Sequence, residues 1–228
     1  TNPVENDFNF SQLTNPLTTV EYLGELIGAR ATCVVAATLQ DADGNALEIA
    51  QWYGTNYVGE DALLAAVAPT LKNKFVQLEG TTYTSIDDSQ LQLVAGLATA
   101  ESYEVSFQLA DGVKKDNWYS FDGITYTAIA DVNAELAKVE PAKVWKSGMT
   151  YYYTDVKHLG SAGTVGEYGI VRNHSYKVNV SGVKGWGTPV YDPEQKVDPV
   201  KPTDKETYIA ADINVLSWRV VSNDATLE

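Results

Sequence analysis

The chain has 228 residues, enough for one large β domain or two small ones, and folding at this size builds a core without staples. Its single cysteine, Cys33, excludes a disulfide framework and any cysteine-based metal cluster, and leaves the redox compartment open. A net charge of −14, from 16 basic and 30 acidic residues, excludes the basic footprint that nucleic-acid or anionic-membrane binding requires.

No apolar run approaches the ~20 residues of a membrane span. Thr1 opens the chain without Met, signal peptide or lipid-attachment Cys, as expected of a processed product or a fragment. The many Tyr, Trp, Thr and Val residues predict a mostly β fold.

Residues 1–20 are polar and read as an arm leading into the fold, in which Phe8 and Phe10 alternate and could pair as a short edge strand. From Ala31 to Leu39 the run ATCVVAATL is apolar on both faces, which predicts a central sandwich strand holding Cys33 as an inert buried thiol. Asp41-Ala42-Asp43-Gly44-Asn45 then breaks the pattern. Its oxygens suit a calcium loop. However, an EF-hand needs Gly one place later and a bidentate Glu where Trp52 stands, so a hairpin turn is favoured and ion binding stays open.

Gly59 to Ala68 predicts a helix, with Leu63, Leu64, Val67 and Leu71 on one face and Glu60 and Asp61 at the positive N-terminal end. Pro69 is expected to end or kink it. Asp88–Leu97 is expected as a strand, with Leu91, Leu93, Ala95 and Leu97 alternating. Another follows where Tyr103, Val105, Phe107 and Leu109 alternate with polar partners. Trp118–Phe121, Asp122-Gly123 and Ile124–Thr127 read as a hairpin. A second short helix is expected at Asp131–Val139, capped by Asp131 and stopped by Pro141. Met149–Lys157 is a strand with tyrosines on both faces, which pack between layers.

In Tyr168–Val180 a Gly-led turn runs into Arg172-Asn173-His174 and opens a strand whose inward face is Tyr176, Val178 and Val180. The Pro-punctuated, charged stretch Asp192–Glu206 tends to stay extended. It detaches one last extended segment, Thr207–Val221.

No catalytic pattern emerges. His158 and His174 are the only histidines, no G-x-S-x-G occurs, and GSAGTVGEYG (160–169) lacks the Lys and following helix of a P-loop. Scattered carboxylates leave a glycosidase pair open by sequence alone. His174, beside Arg172 and Asn173, is expected to be a hydrogen-bonded structural residue. Arg172, entering a strand, and Arg30, preceding one, would be poor protease sites. The chain is therefore expected not to be an enzyme, and neither cofactor nor metal is assigned to it.

Four pieces in order carry a family likeness: the Tyr-rich Met149–Leu159, Gly169–Tyr176 (GIVRNHSY), Val183–Tyr191 (VKGWGTPVY) and Tyr208–Val221 (YIAADINVLSWRVV). Together they resemble the end of the Bacteroidetes fimbrillins, or type V pilins, of the Mfa-like minor (short) fimbria type found in Porphyromonas-like bacteria. They cover about the last third of the chain; the first two thirds agree in layout without a sharp motif.

The resemblance implies a transthyretin-like antiparallel β-sandwich with one or two short helices. It also implies a lipoprotein precursor exported to the outer membrane and trimmed by an Arg-specific protease, so that a strand from a neighbouring subunit fills the vacated groove. The chain lacks the lipobox, the N-terminal domain and the cleavage region of that pattern, and looks like the C-terminal domain. The expected organisation is an arm at 1–20, the pilin sandwich at 21–191, a Pro-rich connector at 192–206, and a terminal strand and tail at 207–228.

A donor strand must be extended, alternating, flexibly tethered and near a terminus. The last segment meets these conditions, with Ile209, Ala211, Ile213 and Val215 on one face and Leu216, Trp218 and Val220 on the other. Burying about five such side chains is worth roughly 1.5–3 kcal/mol each. That sum approaches the whole ~5–15 kcal/mol stability of a domain. The segment reads equally as the domain's own last strand, and both hold if it folds back in the monomer and swaps on assembly.

The resulting expectation is an extracellular fimbrial subunit, attached to the outer membrane and acting in adhesion and biofilm formation. Its partners would be identical subunits, accessory tip and anchor pilins, and host or bacterial surface receptors. The alternative is a carbohydrate- or protein-binding tip adhesin module, with Trp52, Tyr53, Trp118 and Tyr119 exposed as an aromatic platform. A third reading, a pilin crosslinked by Lys–Asn isopeptide bonds, lacks the LPxTG tail that would accompany it.

Overall fold

The computed structural model describes residues 18–22, 30–96, 103–155, 174–183, 185–194 and 212–217. In chain order the strands are β1 (Thr18–Tyr22), β2 (Arg30–Thr38), β3 (Ile49–Trp52), β4 (Thr55–Val58), β5 (Val76–Glu79), β6 (Thr82–Ser85) and β7 (Leu91–Ala95). They continue as β8 (Glu104–Leu109), β9 (Trp118–Phe121), β10 (Tyr126–Ala128), β11 (Ala142–Trp145), β12 (Met149–Asp155), β13 (His174–Asn179), β14 (Thr188–Pro189) and β15 (Asp212–Ser217). Two helices interrupt them, α1 (Glu60–Leu71) and α2 (Val132–Leu136). The fold is mostly β, as the aromatic and β-branched composition predicts.

The chain divides into two compact units: one of Thr1–Ala37, Thr150–Thr188 and Pro193–Glu228, the other of Thr38–Met149 and Pro189–Asp192. The second unit is built on a five-stranded sheet in the order β4-β3-β11-β8-β7. Val144 lies opposite Ala50, Ala142 opposite Val105, and Leu93 opposite Phe107. These residues alternate along their strands, and so line one face, which α1 and α2 cover. Leu63, Val67 and Leu71 of α1 and Val132 and Leu136 of α2 are fully buried there with Phe107, Leu109 and Trp118. The Asn133 side-chain oxygen accepts from the Leu109 N–H at 2.9 Å and fixes α2 against β8.

The expected helix at Gly59–Ala68 forms, but Pro69 does not end it; α1 runs on to Leu71. The proline removes the N–H that would have reached the Ala65 carbonyl, and both residues lie on the exposed side of the helix. Beyond it, buried Leu71 anchors the last turn, and the Thr70 hydroxyl donates to the Val67 carbonyl at 2.7 Å. At the other end Gly59 offers no side-chain cap, so the Glu48 carboxylate accepts from the Glu60 N–H at 3.2 Å instead.

Asp131 caps α2 as expected, its carboxylate accepting from the Ala134 N–H at 3.0 Å, but the α-helix stops at Leu136 and turns lead on from it. Asp88–Leu97 is expected as one strand. Instead Asp87 and Gln90 form a reciprocal capping box that tightens Asp88–Gln90 into a 3₁₀ turn, and β7 starts only at Leu91.

The other sheet of this unit has four strands in the order β10-β9-β5-β6. Its β9–β10 hairpin differs from the sequence reading. Phe121 lies opposite Tyr126, so Ile124 is in the loop and 90% exposed rather than in a strand. The Asp122 carboxylate accepts from the N–H groups of Ile124 and Thr125, both at 2.8 Å, and this widens the Asp-Gly turn. Tyr83 stacks on Tyr126 at 3.7 Å between ring centroids, and Phe121 stacks on the same ring at 4.5 Å.

The first unit contains most of a four-stranded sheet in the order β1-β2-β12-β14, together with a two-stranded ribbon of β13 and β15. As expected, ATCVVAATL is a central strand, with Cys33 and Val34 buried on its opposite faces. β1 pairs antiparallel with β2, Val20 opposite Thr32, a strand that the polar composition there does not signal. Tyr151, Tyr152 and Tyr153 of β12 are all buried, as the layered reading of the Tyr run predicts.

Candidate functional site

The described parts of the four pieces that carry the family likeness come together in pairs. VKGWGTPVY docks on the Tyr-rich strand β12. The Thr150 hydroxyl lies 2.6 Å from the Trp186 carbonyl and 2.9 Å from that of Thr188, while the Tyr152 hydroxyl donates to the Gly185 carbonyl at 3.1 Å. Gly187 must be glycine here. Its φ is +71°, and a Cβ would overlap the Thr150 hydroxyl and meet the Tyr151 carbonyl at 2.8 Å.

The other two pieces pair in the ribbon. His174 lies opposite Ser217, Ser175 opposite Leu216, Tyr176 opposite Val215, and Val178 opposite Ile213. Tyr176 and Val178 are half-buried and pack against Cys33 of β2, as does Val35. Residues directly opposite in an antiparallel pair share a face, so positions 213 and 215 belong to the packed side of the ribbon. Val180, expected inward with Tyr176 and Val178, is instead 43% exposed, because the β13–β15 ladder has ended at Asn179. Burial pushes the Cys33 thiol up to about 11 and keeps it protonated, a poor nucleophile.

Of the candidate donor residues, Ile213, Val215 and Leu216 stand in β15; Ile209, Ala211, Trp218 and Val220 lie outside the described residues. So do Phe8, Phe10, Arg172, Asn173, His158, the segment 160–169 and most of the connector after residue 194, while of His174 only the backbone is described. Among the described residues β15 pairs with β13 alone.

The expected aromatic platform is not present as such. Trp52 and Trp118 are buried because each indole N–H finds a carbonyl, Glu140 for Trp52 and Lys114 for Trp118, both at 2.8 Å. Tyr119 is half-buried, and only Tyr53 stands out, at 72% exposure. Tyr53 and Gly54 form the two-residue turn between β3 and β4, with φ of +45° and +75°. This conformation favours Asn-Gly, and a tyrosine held there costs on the order of 1–3 kcal/mol. The Tyr53 ring meets Trp52 edge-on at 4.7 Å and flanks a cleft of about 990 Å³ between the C-terminal end of α1 and α2.

The Asp41–Asn45 stretch is a turn between the bridged residues Gln40 and Ala46. One Asp41 carboxylate oxygen accepts from the N–H groups of Asp43 and Asn45, both at 2.9 Å, and the other from the Asn45 amide at 3.1 Å. These bonds, the Asn45 side chain foremost, hold the Asp41 carboxyl below its ordinary value. They satisfy the turn from within, the chemistry of a hairpin.

The sequence reading also missed an ionic group. Lys146 lies 2.8 Å from Glu60 and 3.4 Å from Glu48, with its ammonium over the Tyr191 ring at 5.9 Å. Nothing marks the three charges as neighbours, since they are far apart in sequence.

A family model described as major fimbrial subunit protein type IV, fimbrillin, C-terminal, matches residues 143–224. The match supports a fimbrillin. It covers less than half of the chain, yet it includes all of β12 to β15 and hence both motif pairs. No curated protein and no solved structure matches the chain. A fimbrillin assembles with other pilin subunits at the cell surface, as structural material rather than as an enzyme. No helix among the described residues is long and apolar enough to cross a membrane.

Proposed function

We propose that the chain is a structural subunit of a cell-surface fimbria that polymerises by β-strand exchange and supports adhesion and biofilm formation. In this reading it is a fimbrillin of the Mfa-like short type of Porphyromonas-like Bacteroidetes, anchored at the outer membrane with its accessory tip and anchor pilins. Residues 21–191 serve as the pilin sandwich, 192–206 as a tether, and 207–228 as the exchanged strand and tail. Ile209, Ala211, Ile213, Val215, Leu216, Trp218 and Val220 provide its apolar faces.

The observation that carries this reading is the isolation of β15, whose pairing among the described residues rests on the ladder to β13 alone. Removing β15 exposes the N–H and C=O groups of β13 beside the apolar Tyr176 and Val178, an edge that another extended segment can satisfy. The Pro-punctuated, charged composition of 192–206 suits a tether ahead of β15. The segment thus serves as the monomer's own strand before assembly and as a neighbour's strand after it.

Deleting Thr207–Glu228 tests the proposal in cells. Export should continue while the ladder of polymers on a denaturing gel disappears. Ladders that persist in the truncated protein would remove the terminal segment from the mechanism.

A further inference from the structure

We propose that the cleft beside Tyr53 in the second unit binds a neutral saccharide, with the Tyr53 ring as its stacking platform. The site is independent of strand exchange, which concerns the first unit.

Three observations converge on it. The first is the backbone. A turn with positive φ at both central residues is met without strain by Asn-Gly, yet position 53 carries a tyrosine at +45°. Backbone strain of this kind is kept where a side chain has a task, and here it holds the ring out at 72% exposure. The edge contact with Trp52 uses little of that ring and leaves most of its surface to solvent.

The second is shape. At about 990 Å³ the cleft is large enough for a small ligand of more than one ring, and the partly exposed Ile129 and Val139 contribute apolar surface to its lining. An aromatic face beside a partly apolar hollow suits the C–H face of a pyranose.

The third is charge. Lys74 and Lys138 line the same cleft as Asp131 and Glu135, and Lys138 is already paired with Glu135 at 2.6 Å. Mixed signs in one cleft disfavour a strongly anionic or cationic ligand. They offer both donors and acceptors, which hydroxyl groups use in either direction.

The test uses the full 228-residue chain and saturation-transfer NMR with the methyl glycosides of galactose, glucose, mannose and N-acetylglucosamine, each at about 10 mM to reach millimolar affinities. At least one should receive saturation from the protein. Tyr53→Asn should weaken that binding by about tenfold or more, with a melting temperature equal to or above wild type, because asparagine fits the turn better. Tyr53→Phe should bind as wild type does, since the stacking face is kept. The proposal is overturned if none of the four glycosides binds the wild type, or if Tyr53→Asn binds unchanged. It is equally overturned if Tyr53→Asn loses binding together with a fall in melting temperature, since the ring would then be holding the fold.

Discussion

The five-stranded sheet of the second unit and the β13–β15 ribbon of the first are both antiparallel, but they are held in place very differently. In the sheet, β8 has a partner on each side, and its Val105, Phe107 and Leu109 are buried beneath helices. In the ribbon, each strand has one partner among the described residues, and β13 contributes two half-buried side chains to the packing around Cys33. A two-stranded ribbon alone is marginal in water. A strand locked from several sides is a poor candidate for exchange, whereas one held by a single ladder can be replaced by an identical strand at little net change in free energy. The proposed function places exchange in the second kind of region.

Breaking the well-held side should give the largest loss of stability. Phe107→Ala empties a fully buried ring site in the middle of the sheet and should cost about 3–5 kcal/mol in denaturant unfolding. Next comes the support of the ribbon's own unit. Gly187→Ala combines a left-handed backbone with an overlap against Thr150 and Tyr151, and should cost roughly 1–3 kcal/mol. If that cost is negligible, the docking of VKGWGTPVY on β12 is looser than the hydrogen bonds imply.

A pH scan probes the ionic group of the second unit. Burial pushes the Tyr191 phenol up to about 12, with Glu60 adding to the shift. Burial pulls the Lys146 ammonium down, but its hydrogen bond to Glu60 and the charges of Glu60 and Glu48 outweigh this and raise it above its ordinary value. Both are groups whose folded value is raised, so their contribution is fully present below the unfolded value near 10 and is lost as pH rises through the folded value, which for Tyr191 is about 12. Stability should therefore fall across that alkaline window, and Tyr191→Phe should flatten part of the fall. An equal alkaline loss in Tyr191→Phe would place the titration elsewhere.

The smallest expected effect has the opposite sign. The Ser106 hydroxyl, on β8, is buried with no hydrogen-bond partner. Ser106→Ala removes an unsatisfied group and should raise stability by up to about 1 kcal/mol in the same unfolding assay.

What the sequence conveyed divides along physical lines. Periodicity made α1 and β8 readable, because a helix or strand that buries one face must repeat its apolar residues at 3.6 or 2. Boundaries failed wherever a single polar group chose between options. Asp122 widened a turn, the Asp87–Gln90 box converted a strand start into a 3₁₀ turn, and Pro69 was tolerated on the exposed side of α1.

The aromatic platform was misread for a similar reason. A sequence shows that Trp52 and Trp118 are large and amphipathic, but not that Glu140 and Lys114 supply the carbonyls that let them be buried. The four family pieces were legible in order and not in space. That Tyr152 reaches Gly185 and that Val215 stands opposite Tyr176 are long-range facts, which no local pattern encodes. Tyr53 was legible as an exposed aromatic, as it is, but not as the first residue of a strained turn, since a Tyr-Gly pair does not advertise positive φ.

The most direct test of strand exchange asks whose β13 the strand β15 meets in the assembled fimbria. Lys177 and Asn214 stand opposite each other in the ladder, so subunits carrying Lys177→Cys can be co-assembled with subunits carrying Asn214→Cys and oxidised. Each subunit has only one of the two new thiols, and the native Cys33 is buried and protonated. Exchange predicts a reducible covalent dimer joining the two kinds of subunit. Fimbriae that assemble normally but yield only monomers after oxidation would contradict it and leave β15 at home in its own subunit.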